Sequence, residues 1–399
     1  MNNNKVILAF SGGLDTSYCA VWLSKVKNLE VHAVTVNTGG FSDSEILEIE
    51  RHALALGVTS FHHINEVNHY YDSVVKYLIF GNILKNSTYP LSVSAERIAQ
   101  AGAIARYAKQ QGITKIAHGS TGAGNDQVRF DMIFSIIHPE ADIITPIRDM
   151  KLSRSEEIDF LKANGVRMNF EKAAYSINKW LWGTSIGGRE TLTSNLPLPE
   201  EAWATPITKS GEEVVKLEFE KGEPISVNGE KFNYPSLAIQ KLQSIAQPFG
   251  IGRDIHIGDT IIGIKGRVGF EAAAPVIIIK AHHLLEKHIL TKWQLYWKDQ
   301  LSVWYGNSLH EGQYLDPTMR NIEKFLEDTQ RHVSGKVTVR MMPHRFVLEG
   351  IESSNDLMSA KFGSYGEMNN SWTGEDVKGF TKIFGNQISM YHLVHPEEL

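Results

Sequence analysis

The chain of 399 residues holds a single cysteine, Cys19. One thiol excludes an intrachain disulfide and any metal site built from cysteine pairs. It lies within the apolar run Tyr18-Cys19-Ala20-Val21-Trp22-Leu23, which marks it as a core residue. No apolar run approaches the ~20 residues that span a membrane. No charged start followed by a long apolar stretch marks a secretion signal. These absences lead us to expect a cytoplasmic protein with no membrane partner. Charge of one sign is also lacking, since 40 basic residues face 45 acidic ones for a net charge of −5. Without a basic stripe, a nucleic-acid partner is not expected. Internal repeats and low-complexity segments are missing as well.

What is present is an ordinary globular composition, 42% hydrophobic and 21% charged. The length exceeds a usual single core, so two domains are expected. Over the first ~165 residues, strand and helix patterns alternate. Strands are expected at Val6-Ile7-Leu8, 31–36, 61–64, 113–117 and 143–147, and helices over 42–56 and 94–111. That alternation predicts an α/β fold with a doubly wound parallel sheet, whose ligands bind beyond the carboxyl ends of the strands. After residue ~170 the pattern becomes α+β. A loop is expected at 193–211, a hairpin from 214–220 and 224–227, and a helix at 235–247. Further strands are expected at 260–271, 275–280, 337–341 and 345–349, with an amphipathic stretch at 281–304. The expected division is 1–168, 169–385 and a short tail, 386–399.

Two glycine-rich segments carry the chemistry. Ala9-Phe10-Ser11-Gly12-Gly13-Leu14-Asp15-Thr16-Ser17 follows the first strand and opens a helix. Strand, glycine turn and helix N-terminus present backbone N–H groups and a partial positive charge to an anion. Gly12 and Gly13 let phosphate approach the backbone, and Ser11, Thr16 and Ser17 add hydroxyl donors. It is not a Walker loop, because no Gly-Lys-Ser/Thr follows. The second segment, residues 118–131, reads His-Gly-Ser-Thr-Gly-Ala-Gly-Asn-Asp-Gln-Val-Arg-Phe-Asp. Its Asp126 suits an ammonium and its Arg129 a carboxylate, as binding of a zwitterion requires.

The first loop resembles the pyrophosphate loop of the ATP pyrophosphatases. Together with Gly124-Asn125-Asp126-Gln127-Val128-Arg129-Phe130 it resembles the argininosuccinate synthases, strongly in the first half and more weakly to about residue 385. That resemblance implies ligation of citrulline and aspartate, with ATP as substrate, Mg2+ accompanying the ATP, and AMP and pyrophosphate released through a citrullyl-adenylate. It implies that residues 9–17 hold the pyrophosphate, with Val36 near the adenine and Gly119 beside the nucleotide. Thr121, Asn125 and Asp126 would hold aspartate. Tyr89, Ser94, Asn125, Arg129, Ser176 and Ser185 would contact citrulline. Asp15 is the candidate for orienting the loop or sharing the magnesium, and Asp126 for holding or deprotonating the attacking amine. Family members are commonly homotetramers using a C-terminal arm, which looks short or altered here.

The chain departs from the family pattern on the citrulline side. Ala123 stands where many members have lysine, and Phe270 where they have a citrulline-contacting tyrosine. Gly258 stands where they have a citrulline-binding glutamate. Two explanations are open: Asp259 restores the charge by a one-residue shift, or the ureido substrate carries an acylated, uncharged α-nitrogen. Trp180-Leu181-Trp182-Gly183 is unusually aromatic. Competing readings are another ATP pyrophosphatase that amidates or thiolates, and a non-catalytic nucleotide sensor. The first does not account for the second motif and would usually bring a glutaminase domain or cysteine pairs.

Overall fold

The computed structural model describes residues 4–168, 175–358, 365–367 and 371–399. The expected boundary between 168 and 169 abuts residues outside that description. The first half holds five parallel strands: β1 Lys5–Ala9, β2 Glu30–Asn37, β3 Ser60–Asn65, β4 Lys115–Ala117 and β5 Asp142–Ile144. Their order is β3-β2-β1-β4-β5, so the chain reverses direction of growth between β1 and β4. Helices cover both faces, and β1 shows why it reads as a continuous apolar run. Ile7 packs into one core cluster, while Val6 and Leu8 pack into the other. Ser42 caps helix Asp43–Ala55, its hydroxyl accepting from the Glu45 N–H while Glu45 reaches back to the Ser42 N–H.

The second half begins with a hairpin, β6 Ser176–Trp180 and β7 Gly183–Gly187, followed by β8 Glu213–Glu220, β9 Glu223–Val227 and β10 Glu230–Lys231. Then come β11 Arg253–Asp259, β12 Lys265–Glu271, β13 Gly335–Met342 and β14 Arg345–Glu352. They form a four-stranded sheet, β11-β12-β7-β6, and a five-stranded sheet, β10-β9-β8-β13-β14, both antiparallel. One apolar cluster runs without a break from Ile7 and Val34 to Val215, Ile277 and Val339, so the two halves share a core.

Four expectations need correction. Residues 275–280 lie inside helix Ala273–Ile289, not in a strand. The run Val276-Ile277-Ile278-Ile279 packs against helix Pro235–Ala246 and β13, and that burial overrides β propensity. Residues 260–264 are the turn before β12, where Gly263 has φ +82° and Thr260 bonds Ile264 through its hydroxyl. The strand expected to reach 147 ends at Ile144, because Pro146 opens helix Pro146–Asp149. The stretch 281–304 divides between helix Ala273–Ile289 and helix Lys292–His310, which Thr291 caps. The end of the chain is not a bare tail: helices Gly374–Phe384 and Asn386–Val394 stand out with no buried residue.

Candidate active site

Both glycine loops leave the sheet at the β1/β4 switch, where open α/β sheets place their ligands. They touch there. A Cβ on Gly119 would sit 3.1 Å from the backbone carbon and Cβ of Asp15, so a side chain there would press the two loops apart by a few tenths of an ångström. In the first loop Gly12 takes φ +78°, and Gly13 precedes helix Leu14–Val21 without a side-chain cap. The first N–H groups of that helix are therefore left for an anion. Ser11 and Gly13 are exposed, and the Ser11 and Thr16 hydroxyls lie 3.3 Å apart on the loop. Ala9, Phe10 and Leu14 anchor it, with Phe10 and Leu14 in the core below. Ser17 is fully buried and bonds Nε2 of His52 at 2.9 Å, so it positions the helix rather than meeting phosphate. Val36 is buried near the end of β2.

Asp15 is half-buried in the first turn of helix Leu14–Val21. Burial raises its pKa, and its carboxyl pairs with Glu157 on helix Arg154–Ala163. Burial and the neighbouring Asp15 push Glu157 up to about 8. Two carboxyls this close share a proton near neutrality. The pair ties the first loop to helix Arg154–Ala163.

The second loop is braced from within. Gln127 donates to the carbonyls of Gly122 and Gly124 at 2.7 and 3.2 Å. His118 bonds Asp131 at 2.8 Å, and Asp131 bonds Arg148 at 2.6 Å. Thr121 and Ala123 are exposed at its tip. The side-chain oxygen of Asn125 accepts from the N–H of Ile261 at 2.8 Å, so the β11–β12 turn reaches across from the second half.

Asp126 lies between two guanidinium groups, Arg97 at 2.8 Å and Arg129 at 2.9 Å. Burial works to raise its pKa, but the two arginines outweigh it and hold the carboxyl below its usual value. A carboxylate held this way is a fixed anion and a poor base. That corrects the deprotonating role expected for it. Arg129 is only 2% exposed and spends its fork inward. Nε and Nη2 both donate to the main-chain carbonyl of His310, at 3.0 and 2.8 Å, and Nη2 also donates to Ser94 Oγ at 2.9 Å. With Nη1 on Asp126, one of its five N–H groups is left unspent. The bidentate edge expected to grip a substrate carboxylate is occupied by the protein itself.

One face of the four-stranded sheet completes the cluster. Residues two apart on a strand share a face, and directly paired residues do too. Phe270 pairs with Ser185 and Asp254, and Ser185 pairs with Asn178, which puts Ser176, Ser185, Phe270, His256 and Gly258 on one side. Tyr89 sits on that side, 5.3 Å from Phe270 and stacked 4.9 Å from His256. Thus Tyr89, Ser185 and Phe270 share one face, while Ser176 lies at its exposed edge. Asp259 points the other way, 69% exposed and 2.5 Å from Lys265. A one-residue shift would have to break the β11–β12 register, Gly258 opposite Gly266, and turn every side chain over. Asp259 does not replace the missing glutamate.

The aromatic run Trp180-Leu181-Trp182-Gly183 is the tip of the β6–β7 hairpin, and it plugs into the first half. Leu181 N–H donates to the Thr38 carbonyl at 3.2 Å, Trp182 Nε1 donates to the Pro90 carbonyl at 3.0 Å, and the Arg97 guanidinium lies 5.3 Å from the Trp180 ring centre. Gly40 leaves no room for a side chain, since a Cβ there would collide with the Lys179 carbonyl. Arg97, Glu157, His256 and His310 escaped the sequence reading. Only Arg97 carried a signal, since it ends the run Tyr89-Pro-Leu-Ser-Val-Ser-Ala-Glu-Arg97 that holds Tyr89 and Ser94.

Residues 5–167 match the family model described as "Arginosuccinate synthase N-terminal HUP domain", and residues 175–391 match "Arginosuccinate synthase C-terminal domain". The chain is 35% identical over 393 residues to the argininosuccinate synthase of Methanocaldococcus jannaschii, covering 97% of this chain and 98% of that one. It is 35% identical over 396 residues to that of Pyrococcus furiosus, covering 98% and 95%.

Proposed function

The chain belongs to the argininosuccinate synthase family, and from that premise we propose how its residues divide the work of the reaction. It is a carbon–nitrogen ligase that joins citrulline and aspartate at the expense of ATP, giving argininosuccinate, AMP and pyrophosphate. A ureido carbonyl is a poor electrophile, because two nitrogens feed electron density into it. Its oxygen therefore attacks the α-phosphorus of ATP, pyrophosphate leaves, and the aspartate amine displaces AMP from the activated carbon. Catalysis of this kind needs positioning and charge stabilisation more than a side-chain nucleophile.

The observation that carries the assignment is the contact of Gly119 with Asp15 at the sheet switch, which allows one nucleotide to meet both loops. The free N–H groups after Gly13 hold the departing pyrophosphate. Thr121, Asn125 and Asp126 hold aspartate, and Tyr89, Ser94, Ser185 and the spare N–H of Arg129 line the place of citrulline. Magnesium enters with ATP as part of the substrate. Asp15, tied to Glu157, does not fit a metal ligand, so the loop offers the metal no free carboxylate. The full-length match does not favour the acylated substrate or an amidating or thiolating ligase.

Two coarser features belong to the same proposal. No described helix is long and apolar enough to cross a membrane, in keeping with work in the cytoplasm. Phe380, Ile383 and Leu393 are 62, 79 and 80% exposed on the C-terminal helices, and such a face supports self-association as a homotetramer. The deciding experiment supplies ATP with aspartate and citrulline, together and singly. AMP and pyrophosphate are expected only with both amino acids, and ADP with phosphate would overturn the assignment.

A further inference from the structure

A citrulline molecule placed with its ureido group at the glycine loops must lay its three methylenes and its α-carbon elsewhere. The face of the four-stranded sheet beside Tyr89 is the apolar side of that cluster, where Phe270, lacking a hydroxyl, packs 5.3 Å from the Tyr89 ring and both are buried. The α-nitrogen at the far end then needs a hydrogen-bond acceptor.

The nearby carboxylates are spent. Asp126 is bonded by Arg97 and Arg129. Glu96 accepts from Thr38, Arg97 and Gln100. Asp259 faces outward on Lys265. What the face does carry is His256, 6% exposed and stacked on Tyr89 with the ring planes 20° apart. Among the described residues its ring nitrogens have no hydrogen-bond partner, yet they are not sealed from solvent. Nε2 lies 2.7 Å from where a Cβ on Gly258 would be, so the glycine is what lets the imidazole occupy that space.

The charged and titratable neighbours are Lys85, from the segment before helix Ser92–Gln110, and His310, from helix Lys292–His310. Burial and Lys85 lower the pKa of His256, and burial, Arg129 and Lys85 bring His310 to about 4. A neutral imidazole keeps a lone pair, which an N–H donor can use.

We propose that His256 is the residue that reads the α-nitrogen of the ureido substrate, its imidazole accepting a hydrogen bond in the space left open by Gly258. This rests on the ligase reading above and makes the chain's recognition of citrulline different in kind from recognition by a carboxylate. The arrangement trades an ion pair for a neutral acceptor, and the β11 pairing that keeps Asp259 outside holds His256 in place.

The test pairs the side chain with the atom it is said to read. Pyrophosphate release is followed with ATP, aspartate and either citrulline or 5-ureidopentanoic acid, which lacks the α-amine. His256→Ala is expected to cost about tenfold or more in kcat/KM for citrulline, mainly through KM, and under about threefold for the amine-free acid. His256→Gln, which keeps an acceptor oxygen, is expected to retain most of the preference for citrulline. KM for ATP and for aspartate should stay within about twofold. An equal loss for both ureido acids, or no loss for citrulline, overturns the role of His256. Absence of citrulline-dependent pyrophosphate from the unmodified enzyme overturns the ligase reading, and this inference with it.

Discussion

Arg129 holds the main-chain carbonyl of His310 with both Nε and Nη2, at 3.0 and 2.8 Å, across 181 residues of sequence. The second glycine loop and the end of helix Lys292–His310 are joined by that grip. Arg129→Lys keeps the charge but cannot span the same carbonyl, Ser94 and Asp126 at once. We expect a loss of about 1.5–3 kcal/mol in folding stability as buried bonds to a charged group go unmade. Urea denaturation checks this, and an unchanged midpoint would show the grip to be dispensable.

The Asp15–Glu157 pair makes stability depend on pH. The Glu157 carboxyl rises from an ordinary value of 4.5 to about 8 in the folded protein, so the folded state holds that proton more tightly than the unfolded chain. Its contribution is complete below the unfolded value and is lost as pH climbs through about 8. Thermal midpoints should therefore fall from pH 5 to pH 8 by an amount worth about 1 kcal/mol or more. Glu157→Gln, which needs no proton to stay neutral, should flatten that fall.

Lys298 and Glu286 are both fully buried and 2.8 Å apart, and Lys298 also donates to the Phe80 carbonyl. Glu286 further accepts from Asn82 and Gln330. Lys298→Met leaves the carboxylate inside without its cation, at an expected cost of about 3–5 kcal/mol. Lys298→Met with Glu286→Gln should recover part of it. A double variant no more stable than the single would count against the ion pair as the cause.

Gly40→Ala tests the docking of the hairpin. A methyl there would lie 1.7 Å from the Lys179 carbonyl oxygen, a position neither backbone can keep. Displacing the hairpin should cost about 1–3 kcal/mol. It should also raise KM for citrulline more than KM for ATP, since Ser185 moves with β7. Equal changes in both constants would separate the hairpin from the citrulline side.

Local patterns carried the first half into view. Gly12, Gly13 and Gly119 announce turns, and the β-branched runs of β1 and β2 announce buried strands. The same cue misled at Val276-Ile277-Ile278-Ile279, where a β-branched run is buried by helix packing. β6 and β7 went unseen because Ser176-Ile177-Asn178-Lys179-Trp180 alternates too weakly, and its pairing is set by a partner sheet. The site divides in the same way. Its loops are contiguous in sequence, but the partners that decide what each side chain does lie far off. Glu157 turns Asp15 inward, His310 occupies Arg129, and the two-residue period of β11 separates Gly258 from Asp259.

The seating of Leu181 and Trp182 against Thr38 and Pro90 has a consequence for how the protein comes into being. The two glycine loops are complete in the first 130 or so residues to leave a ribosome, but the hairpin that packs on Thr38 and Pro90 is not. Until the hairpin arrives, the backbone of Gly39 and Gly40 lacks the neighbours that cover it in the finished fold. The first half thus keeps a bare contact surface until the second half is made, since the two share one apolar cluster.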